Sequence, residues 1–251
     1  LRIGANYDAL AANGIITYPR LFPSYGPQRA LGRFVLSRCD LVLAANRNYR
    51  DYCIENGASP ERVVVVPYGN LLDPVHFAEP EQREALPEDV PCAGRPFAIV
   101  VGRLIDVKYP EDVLLVADEV RKHVPDLAIL FVGEGDLREQ LEARVEDMGL
   151  RETVFFMGRK NQAWLSRTYP HASAYLSPLT GRSMAEAALA RLPLVAYDTD
   201  WHSEIVETGV TGELVPFRDW EAMSAALTRV LSDADYARTL GDGARERQPH
   251  R

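Results

Sequence analysis

The chain has 251 residues, 47% of them hydrophobic and 25% charged, with a formal charge of −8 at pH 7. That length holds one large domain, or one domain with part of another, and the apolar content is enough for a sizeable core. No basic stripe with interleaved aromatics offsets the acidic balance, which argues against a nucleic-acid partner because phosphate neutralisation needs clustered Lys and Arg.

The chain opens at Leu1 without a Met, and residues 7–27 are rich in Gly, Pro and aromatics, as in a loop. Residues 29–37 predict a helix leading to a buried strand at 41–44. A second helix over about 49–55 stops at Asn56-Gly57, a pair suited to a C-cap. Val63-Val64-Val65-Val66-Pro67 is β-branched throughout and predicts a strand buried on both faces. From residue 71 to 95 Pro, Glu and Asp accumulate without periodicity, which predicts a connector.

From Phe97 onward strand and helix signals alternate, with strands predicted at 97–101, 127–132, 154–157, 174–177 and 194–197. Pro110 opens a helix with Glu111 and Asp112 in its first turn and Arg121, Lys122 and His123 in its last, signs that suit the helix dipole. Its Val113, Val116, Ala117, Val120 and Val124 share one face. Asp136 and Glu139 have capping-box spacing ahead of a helix that Gly149 ends, and Asp219 starts another carrying Met223, Leu227 and Val230. The polar tail from Arg245 to Arg251 caps nothing, and both ends read as cut. The alternation implies right-handed crossovers and a parallel sheet with helices on both faces. Such sheets bind ligands at the carboxyl ends of their strands.

The loops at those ends hold the candidate chemistry. After the first strand, Gly102 permits a tight turn, and Arg103 and Lys108 place two cations before a helix. Arg103 can fork two oxygens of a diphosphate and Lys108 supplies a compact charge; two surface cations in a polar loop is the alternative. Gly133-Glu134-Gly135 lacks the third glycine of the dinucleotide fingerprint and reads first as a plain strand-to-helix turn. Gly158 and Arg159 could bring backbone close to a flat base, or form a cationic turn with Asn161 as N-cap. After the fourth strand, Thr180, Gly181, Arg182 and Ser183 leave a helix N-terminus open to an anion. Glu186, one turn in, could accept from a ribose diol or be used up with Ser183 in a capping box. Asp198, Asp200, Trp201, His202 and Glu204 could line the cleft or form another helix start.

Cys39, Cys53 and Cys92 make no CxxC pair and the five histidines are dispersed, so neither a disulfide framework nor a zinc site is expected. No apolar run reaches membrane-spanning length and no signal peptide opens the chain. A cytoplasmic setting follows, with attachment at the inner face of a membrane left open.

Read together, the loops resemble the group 1 (family 4-like) retaining glycosyltransferases of GT-B fold, over roughly residues 38–243. The matching text is Cys39-Asp40-Leu41-Val42-Leu43-Ala44, Arg62-Val63-Val64-Val65-Val66-Pro67-Tyr68-Gly69, Gly102-Arg103-Leu104 with Lys108, and Gly133-Glu134-Gly135. It continues with Phe156-Met157-Gly158, Glu186-Ala187-Ala188, Leu192-Pro193-Leu194-Val195-Ala196 and Thr211-Gly212-Glu213-Leu214-Val215-Pro216. Each is common alone; the ordered set is specific. The resemblance implies a remnant of an N-terminal acceptor-side Rossmann-like domain over 1–70, a linker over 71–95 and a nucleotide-sugar-binding Rossmann-like domain over 96–251.

It further implies transfer of a sugar from a nucleoside-diphosphate sugar, with retention and without a metal or other cofactor. The acceptor would be a saccharide, a lipid-linked molecule or a small molecule. Arg103 and Lys108 would be the catalytic cations on the leaving diphosphate. Gly102, Gly133, Gly158, Arg159, Thr180, Gly181, Arg182, Ser183 and Glu186 would bind the donor, with Glu186 on the ribose and the base near Gly158 and Arg159. One departure stands out: Pro178 occupies the position, eight residues before Glu186, where the family usually has a second Glu on the transferred sugar. A nucleotide-sugar epimerase or hydrolase of the same architecture, or a non-catalytic nucleotide-binding module, is the alternative. The chain by itself is expected to bind donor and not to transfer it.

Overall fold

A computed structural model of the chain describes residues 2–3, 25–67, 84–92, 94–179 and 181–247. Most of the Gly- and Pro-rich opening, residues 68–83 (Tyr68 and Gly69 of the second motif and the start of the connector), Ala93, Thr180 and the last four residues lie outside the described ones. Contacts divide the chain into two units, residues 1–71 and 72–251.

In the first unit, β1 (Arg2–Ile3), β2 (Val42–Ala44) and β3 (Val63–Val65) form a parallel sheet in that order, accompanied by α1 (Tyr25–Leu36) and α2 (Arg47–Glu55). Asn46 caps α2 by accepting from the Tyr49 amide, and Asn56 ends it ahead of Gly57, which takes φ +99°. Val63 is buried but Val64 is 46% exposed, so β3 is not covered on both faces. Successive side chains of a strand point to opposite sides, and a β-branched run reports strand preference without reporting what lies on each side.

The second unit carries a six-stranded, all-parallel sheet. Its strands are β4 (Phe97–Val101), β5 (Ala128–Val132), β6 (Val154–Phe156), β7 (Ala174–Ser177), β8 (Leu194–Tyr197) and β9 (Gly212–Val215), in the order β6-β5-β4-β7-β8-β9. The connecting helices are α3 (Pro110–Val120), α4 (Arg138–Asp147), α5 (Gln162–Thr168) and α6 (Arg182–Leu189), with α7 (Trp220–Ser232) and α8 (Ala234–Glu246) after β9. This is the doubly wound, Rossmann-like order, whose direction of winding reverses between β4 and β7. All of β5 and β8 is buried, as expected for strands covered by helices on two faces; each large apolar side chain removed from water there contributes about 1.5–3 kcal/mol.

Three elements of this unit differ from expectation. α3 ends at Val120, so Arg121, Lys122 and His123 lie past its last turn. β9 adds a sixth strand with too few β-branched residues to announce itself; Gly212 admits it, since a Cβ there would lie 2.2 Å from the Leu194 carbonyl oxygen. α4 starts at Arg138 with Leu137 as N-cap and no side-chain cap, so the Asp136–Glu139 capping box does not form. The backbone of the loop after β4 fills that space instead. The Leu137 amide donates to the Leu104 carbonyl at 3.1 Å, and a Cβ on Gly135 would be 2.1 Å from the same oxygen. Beyond α3, Arg121 donates to the carbonyls of Gly149 and Met148, closing the end of α4 rather than that of its own helix.

Residues 84–92, the described part of the connector, pack on the second unit. Asp89 pairs with Lys160 at 2.5 Å and accepts from the Trp164 indole at 2.8 Å; Glu84 pairs with Arg167 at 3.2 Å; Val90 and Cys92 are buried. Among the described residues no helix is long and apolar enough to cross a membrane.

Candidate active site

The winding reversal opens a crevice between the carboxyl ends of β4 and β7, where parallel α/β sheets bind ligands. Two hydroxyls join its walls. Ser183, in the first turn of α6, donates through Oγ to the carbonyl of Val101, the last residue of β4, at 3.0 Å. It accepts from the Tyr175 hydroxyl of β7 at 2.7 Å. The tip of α6 is thereby tied to the residue just before Gly102 and Arg103.

That tip has no side-chain cap: Gly181 is the N-cap residue and makes no side-chain bond. Because Ser183 is turned to β4, the Ser183–Glu186 capping box does not form. Glu186 is 3% exposed. Its carboxylate accepts from Arg182 Nε at 3.0 Å and from the Tyr169 hydroxyl at 3.4 Å. Burial, with Tyr175 and Glu186 nearby, raises the Tyr169 phenol well above its ordinary value, so it stays neutral and donates. A carboxylate held on both oxygens is fixed in orientation yet keeps lone pairs for further donors.

Arg103 is exposed and Lys108 half-buried in a 3₁₀ turn ahead of α3. Among the described residues neither makes an ion pair. Burial lowers the Lys108 pKa most, the Arg103 guanidinium lowers it further, and Asp200, in the loop after β8, opposes both. The two cations thus act on each other at the sheet's carboxyl edge, an arrangement whose repulsion an anion would relieve.

The remaining candidates extend along the same edge. The Gly133 amide donates to the Gly158 carbonyl at 2.9 Å, joining the ends of β5 and β6. A Cβ on Gly133 would meet the Gly102 carbonyl oxygen at 1.9 Å, so close backbone approach requires the glycine. Gly158 has φ +66°, and Arg159 beside it is exposed. Pro178 and Leu179 follow β7 and are buried, with no carboxylate between Ser177 and Gly181. His202 is fully buried under the loop after β8, with Nδ1 at 2.9 Å from the Tyr197 carbonyl and Nε2 at 3.4 Å from Ser177 Oγ, a packing role rather than a cleft one. A groove between α3 and α7, lined by His123, Trp220 and Arg229, holds none of these residues.

The sequence profile of the family described as glycosyl transferases group 1 matches residues 82–247. The chain belongs to that family. Among its group 1 relatives, the GDP-mannose-dependent alpha-(1-6)-phosphatidylinositol monomannoside mannosyltransferase of Mycolicibacterium smegmatis is 27% identical over 186 residues, 69% of this chain and 49% of that protein. The alpha-D-kanosaminyltransferase of Streptomyces kanamyceticus is 29% identical over 219 residues, 84% of this chain and 56% of that one. The chain therefore spans about half the length of these curated relatives. Solved structures show the GT-B fold. Sucrose-phosphate synthase from Thermosynechococcus elongatus has a TM-score of 0.77 at 23% identity, covering 98% of this chain and 61% of that one. Anabaena HepE in complex with UDP-glucose has a TM-score of 0.74 at 20% identity, covering 89% and 64%.

Several residues of this candidate site carry no sequence signal. Tyr175 and Tyr169 are buried core aromatics, and their hydroxyls hold Ser183 and Glu186. Asp200 stood among several acids, and only the fold sets it apart from Asp198 as the one acting on Lys108.

Proposed function

We propose that this chain binds a nucleoside-diphosphate sugar in the crevice between β4 and β7 and serves as the donor half of a glycosyltransferase acting with retention. The observation that supports this reading is the Ser183–Val101 hydrogen bond, which ties the uncapped tip of α6 to the strand end that leads into Gly102 and Arg103, with Lys108 in the same loop acted on by Arg103. As the glycosidic bond breaks, negative charge builds on the departing diphosphate; cations and helix amides already in place offset it without reorganising. Arg103 and Lys108 take the diphosphate, Gly181 to Ser183 present backbone amides, and Glu186 accepts from the ribose diol. Gly133, Gly158 and Arg159 lie on the base side.

Names of relatives and neighbours support a nucleotide-sugar donor: one relative is GDP-mannose-dependent and one neighbour is solved with UDP-glucose. The first of these acts on a phosphatidylinositol monomannoside, which favours a lipid-linked acceptor at a membrane surface among the acceptor classes. Calorimetry with UDP- and GDP-sugars tests the reading. Binding in the micromolar range or tighter is expected, and absence of binding by every sugar nucleotide and free nucleotide would overturn it. Pro178, in place of a carboxylate, favours a second reading as a nucleotide-sugar epimerase or hydrolase. Product analysis without acceptor separates the two: an epimer or free sugar supports the second, an unchanged donor the first.

A further inference from the structure

Three non-glycine residues at the carboxyl edge of the six-stranded sheet hold left-handed backbone: Tyr109 at φ 48°, Asp200 at φ 52° and Arg218 at φ 65°. Contact between Cβ and the adjoining carbonyl disfavours that conformation, so tertiary contacts must maintain it. Tyr109 also stands between Lys108 and Pro110, and a following proline biases a residue toward extended backbone.

Two of the three residues touch. The Arg218 guanidinium lies 4.5 Å from the centre of the Tyr109 ring, and Phe217 meets that ring edge-on at 5.3 Å. The same guanidinium pairs through Nε with Asp112 at 2.9 Å. Buried Asp112 in turn accepts from the Tyr197 hydroxyl at 3.0 Å. An unbroken line of contacts runs from the end of β8, through the first turn of α3 and the loop after β9, to the residue beside Lys108.

We propose that this Tyr197–Asp112–Arg218–Tyr109 latch positions Lys108, holding its ammonium inward beside Arg103, where the diphosphate of a nucleotide sugar binds. The inference rests on the nucleotide-sugar reading above and deepens it. Without an anion, a half-buried ammonium next to a guanidinium is pushed toward water. Arg103 from the loop after β4 and Asp200 from the loop after β8 are the charged groups acting on it, the first against its charge and the second for it. The latch opposes the outward swing by fixing the backbone. The Tyr109 ring is held by contacts with both Arg218 and Phe217, and the amides of Lys108 and Tyr109 donate to the carbonyls of Ile105 and Asp106, both at 2.9 Å. Tyr109 and Arg218 are positioning residues that act through Lys108.

Amine labelling of the 251-residue chain, read by mass spectrometry across a pH series, reports the ionisation of Lys108 without any nucleotide. Arg218→Gly and Tyr109→Gly remove the clamping side chains while supplying the residue that suits left-handed backbone. A purely structural role would leave the Lys108 labelling midpoint where it is. The latch moves that midpoint upward in both variants, toward the ordinary lysine value of about 10.4. It also weakens binding of UDP and GDP at neutral pH by about fivefold to tenfold, because the cation is no longer preorganised. Tyr109→Phe keeps the ring and restores both readouts. Arg218→Gln, which keeps part of the side chain and loses the charge, repeats the comparison should a glycine variant fail to fold. An unmoved midpoint in the Arg218 and Tyr109→Gly variants overturns the latch whether or not nucleotide binds. A moved midpoint in a chain that binds neither UDP nor GDP retains the hold on Lys108 and overturns the nucleotide reading.

Discussion

At Lys108 the linkage between charge and stability has a definite sign. Its pKa is lowered in the folded chain, so between that lowered value and the ordinary lysine value the unfolded chain binds more protons. Unliganded stability therefore rises with pH through that window. A bound diphosphate reverses the bias, so affinity should be highest below the lowered pKa and fall as pH rises through it. Calorimetry in two buffers of different ionisation enthalpy should show proton uptake on the alkaline side, absent in Lys108→Ala. Arg103→Ala and Lys108→Ala should each weaken nucleotide affinity by about 1–3 kcal/mol, the range for hydrogen bonds to charged groups; unchanged affinity in both would reject their assignment. Glu186→Gln should reduce the preference for UDP over 2′-deoxy-UDP, because its carboxylate is oriented by Arg182 and Tyr169. Equal discrimination in parent and variant would remove Glu186 from the ribose.

Between elements, the loops after β4 and β5 approach through backbone alone. The Leu104 amide donates to the Glu134 carbonyl at 3.1 Å, and the Gly102 amide to that of Val132 at 3.0 Å. Gly135→Ala would place its Cβ against the Leu104 backbone, where no rotamer change can relieve the contact. A loss of about 1–3 kcal/mol is expected from overpacking, measured by urea denaturation, and nucleotide affinity should fall with it because Arg103 sits on the displaced loop. Gly149→Ala is a contrast: a Cβ there meets nothing within 4 Å, but φ is +63°. Its cost is backbone strain alone, of order 1 kcal/mol, and binding should be unchanged. Equal effects of the two substitutions on binding would show that the loop contact does not govern the site.

On the scale of the whole chain, all the candidate donor residues belong to the second unit, residues 72–251. A ligand that binds only the native form of that unit stabilises it by about 2.7 kcal/mol at a concentration of 100 times Kd. Hydrogen exchange with and without saturating UDP or GDP should therefore slow in β4, β5, β7 and β8. The amides of β2 and β3 should change little. Protection spread evenly over both units, or confined to β2 and β3, would place the nucleotide elsewhere.

Much of this was legible in the sequence, for reasons particular to each segment. The buried stripe of α3, Val113, Val116, Ala117 and Val120, has helical spacing and lies in the core. The strands at 97–101, 174–177 and 194–197 have those bounds, because a strand covered on both faces must be apolar throughout. The ordered loop motifs identified the family without reference to geometry. Capping at 136–139 was misread because a carboxylate three residues after a polar residue is a local pattern, and at 183–186 the same spacing left capping and ribose binding undivided. In both places non-local backbone or hydroxyl contacts, Leu104 with Leu137 and Val101 with Ser183, satisfied the groups first. The left-handed Tyr109 and Arg218 had no local signature at all. Local periodicity and chain order thus determined the fold class, the family and the loops that face the crevice. Tertiary structure alone decided which side chains in those loops meet, since residues as far apart in the chain as Tyr109 and Arg218 become neighbours only when the sheet closes.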